Sequence, residues 1–384
     1  MLPIPSESHN QRPMIALVAA ARPNFMKIAP ISRELQQREI PARLIHTGQH
    51  FDANMSDVFF RDLGMPAPDV MLGAGGGTQA QQTAAVLVGV EAELVRFRPA
   101  LLVVVGDVTS TLASALAAAK LGVPVVHVES GLRSRDWTMP EEINRVLTDR
   151  LSDLLLTPSP DARDNLLAEG IAAERIVFVG NVMIDSLHYA VARSTDVLAR
   201  LQLGPQAYAV ATIHRPASVD TPAALCATLE ALAAVAARIP LVFPVHPRTL
   251  ARLGEFGLAS HARTTSGLRL IEPLGYHDFV TLFSQARLAV TDSGGIQEET
   301  TALGIPCLTM RDSTERPITV TEGTNIVVGT DRDRIARAVD EILAGKGKKG
   351  RVPEGWDGHA ALRIVDALER FCAGTPRPLC SGSR

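Results

Sequence analysis

Twelve short apolar runs, separated by segments of helical periodicity, constrain this chain more than any other feature. The first six are IALVAA (15–20), ARLIHT (42–47), LLVVVG (101–106), VVHVE (125–129), LLLTP (154–158) and RIVFVG (175–180). Between them lie stretches such as ISRELQQR and STLASALAAAKLG, whose apolar positions recur at helical spacing. Alternation of this kind reads as a parallel sheet. Because the runs are apolar at nearly every position, their strands are expected to be covered by helices on both faces. The pattern restarts at YAVATIH (208–214) and continues through IPLVFPVH (239–246), LRLIEP (268–273), RLAVTD (287–292), IPCLTM (305–310) and TNIVVG (324–329). A second sheet therefore follows the first. The segment 186–206, ending in Leu203-Gly204-Pro205, is the predicted connection, and a last helical stretch, HAALRIVDALERF (359–371), follows a loop containing Pro353 and Gly355. The final dozen residues read as a frayed tail.

Composition excludes several alternatives. With 384 residues and 46% hydrophobic content the chain can bury a large core, as a two- or three-domain protein does. A net charge of -3 and the lack of a long basic run argue against nucleic acid or an anionic membrane as the main partner. The short GKGKK stretch (345–349) reads as a solvated turn. Cys226, Cys307, Cys372 and Cys380 form no C-x-x-C pair and have no histidines at finger spacing, which suits a reducing cytoplasm and suggests no metal site. No apolar stretch approaches the roughly 20 residues needed to span a bilayer. The run Met14–Ala21 also fits the h-region of a signal peptide. Its recurrence with the same punctuation along the chain favours a first strand.

In parallel sheets of this kind ligands bind beyond the carboxyl ends of the strands. Here those ends carry Arg22, then Gln49 and His50, then Asp107 and Glu129. The second half repeats this with His214 and Arg215, His246, Asp292 and Ser293, and Arg311 and Arg316. Each alone could be a cap or a surface group. Together they converge on one edge of two sheets. TDSGGIQEETTALGIP (291–306) is the most informative stretch, a strand end followed by Ser-Gly-Gly and a helix. Glycines let the backbone approach closely, and a helix N-terminus offers free N–H groups that suit a diphosphate. No Gly-Lys-Ser/Thr follows, so it is not a Walker A loop, and the first strand leads into Ala-Ala-Arg-Pro rather than a dinucleotide-binding glycine turn. Neither a nicotinamide nor any other cofactor is implied.

Nine stretches in order carry a resemblance: ARPNFMKIAP (21–30), TGQH (47–50), GDVTST (106–111), HVESGLRS (127–134), MPEEINR (139–145), TIHR (212–215), PVHP (244–247), TDSGGIQEE (291–299) and MRDSTERPI (310–318). The chain resembles the non-hydrolysing UDP-N-acetylglucosamine 2-epimerases of the GT-B fold. That resemblance implies an α/β protein of two Rossmann-like domains facing across a cleft, 14–187 and 195–358, with the C-terminal helix (359–372) crossing back to the first. It also implies a homodimer in the cytoplasm that uses a UDP-sugar and no metal. Asp107, Glu129, Glu141 and His214 match the family's catalytic positions. Arg22, Lys27, Ser293, Gly294, Gly295, Glu299 and Arg316 match its ligand-binding positions. Uracil is expected near Phe279 and the backbone around Leu274. Gln49 and His50 match part of a second, activating site.

The residue types also suit the chemistry. The C2 proton of an N-acetyl amino sugar has no neighbouring ketone to activate it, so elimination of UDP and re-addition is the accessible route. That route needs cations and N–H groups for the departing diphosphate and carboxylates for the proton. Which carboxylate is acid and which is base stays open, and Glu142 reads as a helix-surface charge. The loop between Glu129 and Glu141 is short, and Ala217-Ser218 replaces the family's Glu-Asn after His214-Arg215. The short loop also resembles members acting on UDP-2,3-diacetamido glucuronate, for which Arg133, Arg135 or His246 would meet the sugar carboxylate. A hydrolysing epimerase, a glycosyltransferase of the same fold and a silent UDP-sugar-binding protein are the remaining readings.

Overall fold

The computed structural model describes residues 13–20, 22–48, 60 and 62–374, with the side chains of Arg22 and Pro23 set aside. Seven strands form the first sheet: β1 (Ile15–Ala19), β2 (Ala42–His46), β3 (Val70–Met71), β4 (Leu101–Val105), β5 (Val125–Val128), β6 (Leu154–Thr157) and β7 (Ile176–Phe178). They pair in parallel in the order β3-β2-β1-β4-β5-β6-β7. β1, β4, β5 and β6 are buried at every residue, as all-apolar runs require when helices cover both faces. β3 had no apolar run to announce it. It is a two-residue edge strand, one residue of it exposed.

The second sheet contains β8 (Ala209–Thr212), β9 (Leu241–Pro244), β10 (Leu268–Ile271), β11 (Leu288–Thr291), β12 (Cys307–Thr309) and β13 (Asn325–Val327), again parallel, in the order β10-β9-β8-β11-β12-β13. Both sheets therefore change winding direction beside their first strand, between β1 and β4 and between β8 and β11. A crevice opens at such a switch point because neighbouring connections leave on opposite faces.

The last helix, Ala360–Gly374, returns to the first sheet's side and packs against helices Arg22–Gln37 and Val182–Val191. It buries Ile364, Val365 and Leu368 there. Its N-terminus is capped from outside, since Asp185 accepts from the N–H groups of Ala360 (3.1 Å) and Ala361 (2.7 Å). Arg38 ties its middle turns through Asp366 and Glu369. Lys348 of the basic turn donates to the carbonyls of Val320 and Asn325, so that stretch is only partly solvated. Among the described residues no helix is long and apolar enough to cross a membrane.

Candidate active site

On the first sheet's edge the chain turns sharply after β4 and β5. Gly106 follows β4 with φ +66°, and a Cβ there would lie 2.9 Å from Lys27 Nζ and 3.5 Å from Asn24 Nδ2. The positive φ favours glycine here, and the missing Cβ leaves room for the lysine ammonium. Glu129 follows β5 in the left-handed region at φ +67°, a conformation that costs a non-glycine residue about 1–3 kcal/mol and gathers at functional sites. Its carboxylate is buried and ion-paired with Lys27 and, at 2.6 Å, with Nη2 of Arg316. Lys27 comes from helix Arg22–Gln37 and Arg316 from the second half of the chain. Glu129 therefore sits where the two sheets' edges meet.

Helix Pro140–Leu151 organises the same edge. Arg145 donates to Asp107 Oδ2 at 2.6 Å and to Glu142 Oε2 at 2.8 Å, and Asn144 Nδ2 holds the Asp107 carbonyl at 2.9 Å. Burial works against charge on Asp107, but Arg145, Lys27 and Arg316 outweigh it and hold the carboxyl below the usual carboxylate range. Further along, Asp149 contacts His127 Nδ1 at 2.7 Å, while His127 Nε2 contacts the Gly106 carbonyl at 2.8 Å. One helix thus fixes the Gly106–Asp107 turn from its side chain and from its backbone.

On the second sheet's edge, buried Asp292 follows β11 and accepts from the backbone N–H groups of His214 and Arg215. This pins the turn after β8. His214 Nδ1 lies 3.5 Å from Asp292, and its ring lies 5.2 Å from that of His246. Burial lowers the His214 pKa, with Arg215 and Arg248 adding to the effect and Asp292 opposing it. The balance favours the neutral imidazole. Helix Gly294–Ala302 begins at Ser293, whose hydroxyl does not cap it, so that side chain leaves the helix's first N–H groups unsatisfied. A Cβ on Gly294 would meet Glu315 Oε1 at 3.0 Å.

A chain of charges joins the two edges. Arg316 Nε lies 3.0 Å from Glu298 Oε1, and Glu315 takes Arg215 Nη2 at 2.8 Å and Arg311 Nη1 at 2.5 Å. Burial opposes ionisation of Glu315, but Arg316, Arg215 and Arg311 prevail and bring it down to about 2. Burial, reinforced by Glu298, pushes the Glu299 carboxyl up to about 8.

Of the residues singled out in the sequence, Lys27, Asp107, Glu129 and Arg316 meet in this one network. Ser293, Gly294, Gly295 and Glu299 share the helix next to it, and His214 stands on the adjoining turn. Leu274 and Phe279 are partly buried against the core, with the Phe279 ring 5.4 Å from Phe283. Glu141 is exposed in the first turn of helix Pro140–Leu151. The Arg22 side chain, Gln49 and His50 lie outside the described residues.

Two expectations need correction. Glu142 is not a surface charge: it is 2% exposed and accepts from the N–H and hydroxyl of Ser134, the N–H of Arg135 and Arg145 Nη1. Glu141 and Glu142 are separated by about 100° around the helix, and the inward one anchors the preceding loop. Arg133 is not directed at a ligand, since its guanidinium is held by Asp149 and Glu169 at 2.7 Å each. Arg145 and Glu298 were not singled out, although both lie inside the motifs that were.

The chain matches the family model described as UDP-N-acetylglucosamine 2-epimerase over residues 33–369. It is 39% identical over 361 residues to the UDP-N-acetylglucosamine 2-epimerase of Methanocaldococcus jannaschii, covering 92% of this chain and 98% of that protein. It is 40% identical over 361 residues to the UDP-2,3-diacetamido-2,3-dideoxy-D-glucuronate 2-epimerase of Pseudomonas aeruginosa, covering 93% of this chain and 99% of that protein. Among solved structures, the M. jannaschii UDP-GlcNAc 2-epimerase in complex with UDP-GlcNAc and UDP is similar at TM-score 0.85, over 93% of this chain and 99% of that one. The Neisseria meningitidis UDP-GlcNAc 2-epimerase bound to UDP-GlcNAc is similar at TM-score 0.82 and 28% identity, over 93% and 100%.

Proposed function

The chain belongs to the UDP-N-acetylglucosamine 2-epimerase family, and from that premise we propose that its cleft inverts C2 of UDP-N-acetylglucosamine to give UDP-N-acetylmannosamine. The observation that carries the proposal is the junction of Glu129 with Lys27 and Arg316, which brings a proton-transfer carboxylate beside two cations. In the reaction the C1–O bond to UDP breaks with its electrons leaving on the diphosphate. The C2 proton passes to a carboxylate, and the electrons of that C–H bond form the C1=C2 bond of 2-acetamidoglucal. Return of the diphosphate to C1, with a proton delivered to the opposite face of C2, completes the inversion.

Arg22, Lys27, Arg316, Ser293 and the N–H groups of Gly294 and Gly295 stabilise the charge that develops on the leaving diphosphate. Preorganised donors in a buried site act strongly on such charge. Asp107, Glu129 and Glu141 share the proton transfers, with neutral His214 beside the diphosphate. The exposed position of Glu141 leaves it accessible to a sugar in the cleft, while Arg145 keeps Asp107 ionised and so suits it to accept rather than donate. Glu299 receives the ribose hydroxyls, and Phe279 with the Leu274 backbone borders the uracil. The two lobes are taken as 14–187 with 359–372, and 195–358. The working form is a cytoplasmic homodimer. Cys226, Cys307 and Cys372, all free thiols, accord with a reducing compartment.

The similarity to the P. aeruginosa relative favours one second reading, a diacetamido uronate substrate. Incubating the protein with each UDP-sugar alone and following the anomeric proton signals by NMR separates the two. A manno epimer from UDP-N-acetylglucosamine with no acceptor present supports the proposal. Turnover of the uronate alone transfers the assignment to that substrate.

A further inference from the structure

Arg316 divides its guanidinium among three directions. Nη2 donates to Glu129 at 2.6 Å, Nε is ion-paired with Glu298 Oε1 at 3.0 Å without hydrogen-bond geometry, and Nε and Nη1 are both buried with no hydrogen-bond partner among the described residues. A guanidinium is planar, so the hydrogen bond at Nη2 together with the carboxylate charge beside Nε restricts where Nη1 points. Glu298 supplies the contact at Nε and is itself held. It is 3% exposed, on helix Gly294–Ala302, and its Oε1 also accepts from Asn181 Nδ2 at 3.1 Å. Asn181 in turn is immobilised by capping helix Val182–Val191, its Oδ1 accepting from Met183 N–H at 3.0 Å. The chain Asn181, Glu298, Arg316, Glu129 thus runs from the helix packed under the last helix to the end of β5.

We propose that Glu298 is a positioning residue that orients the Arg316 guanidinium, so that one nitrogen neutralises Glu129 while Nη1 stays directed at the bound nucleotide sugar. This rests on the epimerase reading above. Glu298 acts through Arg316 and does not itself meet substrate. Glu299, the next residue, is turned about 100° around the helix, which separates ribose binding from arginine positioning on neighbouring side chains.

The charges around Glu298 give the arrangement a pH dependence. Burial pushes the Glu298 carboxyl above the usual carboxylate range, with Arg316 and Lys27 opposing and Glu129 and Glu315 adding to it. Glu299 is the other carboxyl beside it. Protonation removes the anion beside Nε, so turnover declines as pH falls and this carboxyl takes up its proton.

The test compares wild type, Glu298→Gln, Glu298→Asp, Arg316→Lys and the double variant Glu298→Gln/Arg316→Lys. Epimerisation of UDP-N-acetylglucosamine is read between about pH 6 and about pH 9, and UDP affinity by calorimetry. Glu298→Gln is expected to lower kcat on the order of 10²-fold, as misorientation of a reacting group does, and to weaken UDP binding by a smaller factor. Glu298→Asp, which keeps the charge, recovers part of that loss. The double variant is no slower than Arg316→Lys alone, because both changes remove the same orientation. The acid limb that Glu298 contributes disappears from Glu298→Gln. Multiplicative losses in the double variant overturn the proposal, and so does an unaltered pH profile in Glu298→Gln, or equal loss in Gln and Asp variants. If the wild type turns over no UDP-sugar, the functional reading fails instead. Positioning is then read from UDP affinity alone, where losses that multiply in the double variant still refute it.

Discussion

Glu299 offers a prediction whose size follows from its burial. The side chain is 3% exposed, and burial together with the neighbouring Glu298 charge moves its carboxyl from an ordinary value of 4.5 to about 8. Between these two values the folded chain holds a proton that the unfolded chain has released. Stability therefore declines as pH rises through that window, and the decline is complete above about 8. Each pH unit inside the window is worth about 1.4 kcal/mol, so wild type loses about 4 kcal/mol from this group between about pH 5 and about pH 8.5. Glu299→Gln is isosteric and uncharged at both values. Urea unfolding of wild type and variant at the two pH values should therefore show the variant gaining about 4 kcal/mol on wild type over the interval. A stability difference that is the same at both values refutes the reasoning, because the carboxyl would then titrate alike in the folded and unfolded chains.

Other predictions follow from the same geometry. Glu141→Gln should reduce turnover by about 100-fold or more, as loss of a proton-transfer group does, with UDP affinity measured by calorimetry little changed; full activity removes Glu141 from the chemistry. Arg145→Met leaves Asp107 and the buried Glu142 without their shared cation, which should cost about 3 kcal/mol or more in denaturant unfolding and raise the pH at which activity fails on the acid side. Asp185→Ala strips the external cap from helix Ala360–Gly374 and should cost about 1–2 kcal/mol, visible as faster proteolysis within that helix; an unchanged cleavage rate would mean that packing of Ile364, Val365 and Leu368 alone holds it.

Much of the architecture was legible because parallel strands covered on both faces must be apolar throughout. The runs around Leu101–Val105 and Leu154–Thr157 could hardly sit elsewhere. β3 escaped because two edge residues bury too little to leave a pattern. Helix Gln79–Phe97 was not singled out either, although Thr78 and Gln81 form a capping box at its start, a signal that sequence does carry. At the site, the strand-end rule explains why Asp107, Glu129 and Asp292 stood out: parallel topology sends those ends to one edge. The same rule is silent about orientation on the helices that follow. Two Glu-Glu pairs illustrate this. In Glu141-Glu142 the second residue turns inward to hold the loop at Ser134 and Arg135, and in Glu298-Glu299 both are buried but only the first reaches Arg316. Adjacent helical residues differ by about 100° in direction, and which one faces the cleft depends on packing that a linear motif does not encode.

Proton NMR of the protein with UDP-N-acetylglucosamine as sole substrate in D2O tests the central claim most directly. Elimination through a carboxylate that exchanges with solvent predicts deuterium at C2 of both the gluco and manno UDP-sugars, with no free sugar accumulating. Epimers that keep hydrogen at C2, or N-acetylmannosamine released together with UDP, would contradict it.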